Sequence, residues 1–146
     1  MYDPTRRELF TAERGGGAFL NGQPIRVSTA RTLIDAMLVT GFPYDVHTRL
    51  DEIVGLFRAF VGQARAVRRL GSAALDLCYV AAGRMDGFWE RDLNAWDIAG
   101  GALLVSEAGG RVTGLNGEAF SSRGRSVLAS NDFIHDAMLD VIRTVE

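Results

Sequence analysis

The chain has a single cysteine, Cys78, in 146 residues, so no internal disulfide can form. A lone thiol fits a reducing cytoplasm, which is the expected compartment. No apolar run reaches the ~18 residues a membrane-spanning helix needs. The segment from Met1 to Arg14 is polar and lacks the apolar core of a secretion signal. Basic charge is not in excess: 16 basic against 18 acidic residues give a net charge of −2, without the positive footprint of a nucleic-acid-binding protein. Arg65, Arg68 and Arg69 cluster without interleaved aromatics and read as a solvated edge. Repeats, low-complexity tracts and linkers are also missing. What remains is 47% hydrophobic and 23% charged, enough apolar material for a sizeable core. A single domain over residues 1–146 is expected.

Periodicity gives alternating strands and helices. Glu8 to Glu13 alternates like a half-buried strand, and Gly15-Gly16-Gly17 then turns the chain. A phosphate-loop reading of that triplet fails, because no Lys-Ser/Thr follows and no helix opens after it. Asn21-Gly22 signals a hairpin leading to a short strand, Ile25 to Val27. Ala36 to Thr40 is a compact apolar strand. Beyond Thr48, a plausible helix cap, the residues Leu50, Ile53, Val54, Phe57, Phe60 and Val61 share one helical face. Ala66 to Arg68 is a short strand, and Ser72 to Ala82 a buried helix whose one charge is Asp76. Met85 to Glu90, Arg111 to Thr113 and Ser126 to Ala129 are strands. A last helix from about Asp132 turns Phe133, Ile134, Ala137, Met138, Val141 and Ile142 inward. Strands alternating with buried helices predict a layered α/β arrangement. Cys78, on an apolar helix without a neighbouring His, reads as a packed thiol. His47 and His135 have no partner ligands in sequence and read as surface residues.

The stretch from Gly87 to Gly110 is the most informative. It sets Glu90 at the end of a strand and Asp97 at the start of a nearly all-apolar helix. The first turn of a helix offers free N–H groups and the positive end of the dipole, which favour a charged carboxylate. Such a group is a good ligand for a hard cation such as Mg²⁺; the plainer reading is an Asp that helps the helix start. Ile98 to Val105 has no polar side chain, so this helix should be covered on most sides. Gly100 and Gly101 inside it cost on the order of 1 kcal/mol each against alanine and imply close approach of another backbone. Gly109-Gly110 ends the helix. Gly71-Ser72-Ala73 lies where a strand meets a helix start; its N–H groups can hold an anion or a hydroxyl, or Ser72 is a plain cap. Asp92 reads as a loop residue.

Trp96-Asp97-Ile98-Ala99-Gly100 with Ser106-Glu107-Ala108-Gly109-Gly110 closely resembles the C-terminal signature of the inositol monophosphatase family. Arg69 to Asp76, Gly83 to Glu90 and Ala12 to Gly22 resemble its preceding blocks, in order and in their bacterial form. The resemblance spans essentially the whole chain. It implies the C-terminal part of the layered alternating helix–sheet sandwich of the inositol monophosphatase and fructose bisphosphatase superfamily. The family's Glu-Glu element and Asp-Pro-(Ile/Leu)-Asp-Gly-Thr loop, which supply most metal ligands and the water-activating groups, have no counterpart here, since Asp3-Pro4 is followed by Thr5-Arg6-Arg7. The chain therefore resembles the C-terminal half of such an enzyme.

The activity implied by that resemblance is Mg²⁺-dependent hydrolysis of an inositol monophosphate. Asp97 is implied to bind one metal ion, and Glu90 with Gly71, Ser72 and Ala73 to hold the polyol. A carboxylate can accept two hydrogen bonds from a vicinal diol. Related substrates are fructose bisphosphate, histidinol phosphate and phosphoadenosine phosphate. The implied partners are a small phosphorylated polyol and either the other half of the fold or a second copy of this chain. A non-catalytic, oligomerising remnant is the alternative.

Overall fold

Strand alternation in this chain buries both faces of one sheet. In the pairs Leu38 and Val39, Phe88 and Trp89, and Leu128 and Ala129, successive side chains enter two different cores. The computed structural model describes residues 1–145. Its elements are β1 (Tyr2–Asp3), β2 (Glu8–Glu13), β3 (Gly17–Leu20), β4 (Gln23–Pro24), β5 (Met37–Thr40), α1 (Leu50–Val61), β6 (Ala66–Arg68), α2 (Ala73–Ala81), β7 (Gly87–Glu90), α3 (Ala95–Glu107), β8 (Arg111–Thr113), β9 (Val127–Ser130) and α4 (His135–Arg143). Strands β1 to β4 form an antiparallel meander in sequence order. The other five form a mixed sheet in the order β6-β5-β7-β9-β8. There β5 runs parallel to β6 and β7, and β9 antiparallel to β7 and β8.

Helices α2 and α3 lie between the two sheets, and α1 and α4 cover the far face of the mixed sheet. The inner core joins Phe10 and Ala18 to Leu77, Cys78, Phe88, Ile98 and Val105. The outer core joins Leu38, Trp89 and Leu128 to Leu56, Phe60, Met138 and Ile142, with Phe60 and Trp89 stacked at 4.0 Å. This is the expected layered α/β arrangement of helices and sheets. Cys78 is fully buried, and burial pushes its thiol up to about 12. Among the described residues no helix is long and apolar enough to cross a membrane.

Several expectations change. The hairpin at Asn21-Gly22 forms, with φ of 49° and 78° at the two turn residues, but its return strand is Gln23–Pro24. Ile25 to Val27 instead leaves the sheet edge: Ile25 N–H still donates to Ala18, while Val27 N–H donates to Ala108 at the end of α3. Thr48 does not cap α1. Its hydroxyl donates to the Asp45 carbonyl, and Arg49 occupies the cap position without a side-chain bond. The buried face of α1 is Ile53, Leu56 and Phe60, leaving Leu50, Val54 and Val61 exposed. On α4 the inward face is His135, Met138, Leu139, Val141 and Ile142, with Ile134 just before it, while Phe133 and Ala137 face out. His135 is therefore a core residue, contrary to the surface expectation. Its Nδ1 lies 2.8 Å from Ser130 Oγ and its Nε2 3.0 Å from Thr113 Oγ1, so both ring nitrogens are satisfied by hydroxyls the sequence keeps apart. Helix α3 is less enclosed than its composition suggests: Trp96, Ala99 and Gly100 lie on an exposed side.

Candidate active site

The turn before α2 needs a residue without a side chain. Gly71 has φ of +104°, a region L side chains rarely adopt. Ser72 follows in extended conformation, and its Oγ accepts from Leu75 N–H at 3.4 Å, so it is an N-cap. The first-turn N–H groups of Ala73 and Ala74 have no acceptor within the helix. They open into a cleft of about 370 Å³ lined by Gly71, Ser72, Ala73, Asp76, Glu90, Asp92, Asn94 and Asp97, with Arg69 and Arg125 also on its wall. All five residues singled out from sequence therefore share one cleft. A larger hollow of about 540 Å³ lies between β2, β3 and α3, but its lining is mainly apolar, including Met1, Phe10, Phe19 and Leu103, and none of the five reaches it.

Glu90 closes β7 and is 8% exposed. Its carboxylate packs onto the backbone of Gly41, where an added Cβ would fall 2.1 Å from Oε2. Gly41 is thus the floor on which Glu90 rests. Burial, then the nearby Asp76 charge, pushes Glu90 up to about 7, with Asp97 adding to the rise and Arg69 opposing it. Asp97 is the third residue of α3. Its Oδ2 accepts from Asn94 N–H at 2.9 Å, so it starts the helix while its carboxylate faces the cleft. The two readings of Asp97 coexist in one geometry.

Three contributors were not legible as site residues. Asp76 is 1% exposed, and neither carboxylate oxygen has a hydrogen-bond partner. Burial pushes it up to about 7, against the pull of Arg69. Its signal in sequence was being the one charge on a buried helix. Arg69, read as part of a solvated edge, is exposed but lies along Gly71 and faces the Phe42 ring at 5.8 Å from its centroid. Asp92 is a loop residue as read, with φ of +61°, and it pairs with Arg49 to tie the loop between Glu90 and Asp97 to the start of α1.

The glycine triplet is a turn, and its N–H groups are already used. Glu107, at the end of α3, accepts from Gly15 N–H at 2.9 Å and Gly17 N–H at 3.0 Å. These two bonds hold the Glu107 carboxyl below the usual carboxylate range. His47 is exposed, as expected.

One cleft thus joins a helix-start turn with open N–H groups, a buried strand-end carboxylate and a helix-start Asp. The chain belongs to the inositol monophosphatase family, whose model matches residues 1–146. It is 46% identical over 143 residues to the inositol-1-monophosphatase of Rhizobium meliloti, covering 98% of this chain and 54% of that protein. It is 49% identical over 146 residues to the Nus factor SuhB of Pseudomonas aeruginosa, again covering 98% and 54%. The solved inositol monophosphatase from Anabaena superposes with a TM-score of 0.95 at 41% identity, over 99% of this chain and 57% of that one. The chain spans about half the length of the curated relatives it matches.

Proposed function

We propose that this chain forms the polyol-binding side of a phosphate-monoester hydrolase acting on an inositol monophosphate, and contributes one carboxylate to its metal site. The observation that carries the proposal is the convergence of Glu90, the Gly71–Ala73 turn and Asp97 on one cleft. Glu90 accepts hydrogen bonds from neighbouring hydroxyls of the polyol. The N–H groups at the start of α2 hold a hydroxyl or a phosphate oxygen, helped by the positive end of the helix. Fixing the polyol at two points orients its phosphate for attack.

Asp97 fits one place in an Mg²⁺ site: it is a hard oxygen donor at the positive end of a helix and it faces the cleft. Among the described residues no group of three or more His, Cys, Asp or Glu stands together to complete such a site. When bound, Mg²⁺ supplies charge neutralisation of the phosphate, an activated water and stabilisation of the leaving alkoxide. What this chain supplies is orientation of the polyol and one negative charge. The relatives' names support the inositol phosphate as substrate.

The test is titration of myo-inositol 1-phosphate into the labelled chain, followed by backbone amide shifts. Shifts at Gly71, Ser72, Ala73 and Glu90 that weaken in Glu90→Gln are expected. Saturable shifts confined to the hollow between β2 and α3 would refute the proposal.

A second reading, an assembling module without chemistry, is favoured by the apolar side chains left open: Trp96 is 80% exposed, and Leu50 and Val61 about half. Exposed apolar side chains bury area when a second surface covers them. Stable self-association together with no response to the inositol phosphate would favour it.

A further inference from the structure

Asp76 is the least explained group in the molecule. It lies in the first turns of α2, 1% exposed, with both carboxylate oxygens unpartnered. Buried polar atoms are nearly always hydrogen-bonded, and an ionised carboxylate without a donor bears the full penalty of leaving water. Nothing on α2 relieves it. Three charged groups act on Asp76 or Glu90 from neighbouring elements. Arg69 lies before α2 and pulls on both carboxyls, Glu90 sits at the end of β7, and Asp97 at the start of α3 acts on Glu90. Asp92 and Arg125 complete the charged lining of the cleft. Arg69 is exposed and makes no hydrogen bond to Asp76. Glu90 lines the same cleft, and its carboxyl is pressed against Gly41 on one side. Asp76 and Glu90 line one cleft, and Glu90 feels the Asp76 charge; two such buried carboxyls cannot both be charged without cost, and the cost falls when one keeps a proton and offers it to the other.

We propose that Asp76 is a positioning residue for Glu90: it keeps the proton of the pair and donates it in a hydrogen bond to the Glu90 carboxylate. Asp76 is the less exposed of the two, and burial is the first cause disfavouring its charged form. Glu90, less buried, keeps its charge and its remaining lone pairs for the cleft. The bond, with Gly41 behind, fixes the direction in which those lone pairs point. That last consequence rests on the polyol reading of the site; the pairing itself does not.

The two functions of Asp76, hydrogen-bond donor and like charge, are separable by substitution. Asn donates permanently and carries no charge, whereas Leu has a similar shape and does neither. The experiment follows the Glu90 side-chain carboxyl carbon by NMR in the full chain, labelled with ¹³C-glutamate, in metal-free buffer across pH. Asp76→Asn is expected to keep the Glu90 titration midpoint within about half a unit of the wild type, because one neutral donor replaces another. Asp76→Leu is expected to titrate at least about one unit above the Asn variant, roughly a tenfold difference in proton affinity. Equal midpoints in the two variants would overturn the proposal, since Asp76 would then act only as a charge. Asp76→Ala serves as a second non-donor if Leu disturbs the amide spectrum. In a parallel arm, myo-inositol 1-phosphate affinity should be kept within about threefold in Asp76→Asn and fall about tenfold in Asp76→Leu. If the wild-type chain shows no binding while the midpoints behave as expected, the polyol reading falls and the pairing stands. If binding is normal and the midpoints coincide, the pairing falls and the polyol reading stands.

Discussion

Gly101 on α3 rests directly on Leu77 of α2: an added Cβ would fall 2.5 Å from Leu77 Cβ and 2.6 Å from its Cδ1. The Gly100-Gly101 pair implied close approach of another backbone; what Gly101 meets instead is the Leu77 side chain, and Gly100 meets only the end of Met1. Gly101→Ala should destabilise the fold by about 1–3 kcal/mol through overpacking, despite a gain of about 1 kcal/mol in helix propensity. At Gly100 the nearest atom is Met1 Sδ at 3.4 Å, the far end of a flexible side chain. Gly100→Ala should therefore be neutral or stabilising by up to about 1 kcal/mol. Urea unfolding of the two variants measures the contrast, and similar losses in both would show that the α2–α3 contact is not what Gly101 serves.

Asp97→Asn separates the two functions of that side chain. Asn retains an oxygen that can accept from Asn94 N–H, so the melting temperature should change little. Mg²⁺-dependent turnover in an enzyme containing this half should fall by at least the roughly 10–100-fold that losing an outer-sphere partner of a metal ligand costs, and should partly recover at raised Mg²⁺. Unchanged turnover would remove Asp97 from the metal site.

For Glu90→Gln the same enzyme should show a raised KM and nearly intact Mg²⁺ dependence, because contacts made equally in ground and transition states appear in KM. An altered Mg²⁺ requirement at normal KM would move Glu90 next to the metal.

The chain by itself should show no significant Mg²⁺-dependent hydrolysis of inositol 1-phosphate. Asp97 alone cannot satisfy an ion that demands near-octahedral oxygen coordination, and no acidic cluster among the described residues makes up the rest. A phosphate-release assay across Mg²⁺ concentrations checks this, and robust turnover would show that the active site lies elsewhere.

Acid should act through His135. Burial lowers its folded pKa from 6.5 to about 4, so the unfolded chain binds the extra proton first as pH falls. The stabilisation is complete above pH 6.5 and is lost between 6.5 and 4, a contribution of about 3 kcal/mol at most. Asp76 and Glu90 are shifted the other way: raised to about 7, they favour the fold at low pH and lose that contribution as pH rises through 7. The two effects oppose each other over the same range. His135→Phe should unmask the carboxyl contribution, making the fold more stable at pH 4.5 than at pH 7 relative to wild type. Its cost at pH 7 includes the two bonds lost to the Ser130 and Thr113 hydroxyls, at about 0.5–1.5 kcal/mol each, since Thr113 still donates to the Gly114 carbonyl and Ser130 still accepts from Asp132 N–H. Chemical denaturation at both pH values measures each limb, and an unchanged pH profile in the variant would exclude His135 as the acid-sensitive group.

Legibility followed the range of the interactions. The strands Glu8–Glu13, Ala66–Arg68 and Arg111–Thr113 form where local alternation and bordering turn residues place them. Asp97, Glu90 and the Gly71 turn each sit at an element end, where local rules could place them, while the roles expected of Glu90 and the turn came from the family resemblance. His135 was not, because its two partners come from β8 and β9 and only the tertiary fold brings them to α4. The inward face of α1 slipped for a similar reason: Leu50 and Val61 keep the helical period, but they are the two end residues of the helix, and both stay exposed. Asp76 was visible as an oddity in an apolar helix, but its lack of a partner is a property of three dimensions.

Helix α3 has a different task at each end. Asp97 faces the cleft from its first turn, and Glu107 clasps the Gly15–Gly17 turn from its last. One helix of thirteen residues holds both, and the rise from Asp97 to Glu107 is roughly 15 Å at 1.5 Å per residue. The rod works as a strut between the meander sheet and the chemistry. The helix that carries a cleft carboxylate is thereby anchored by a hairpin that does not line the cleft.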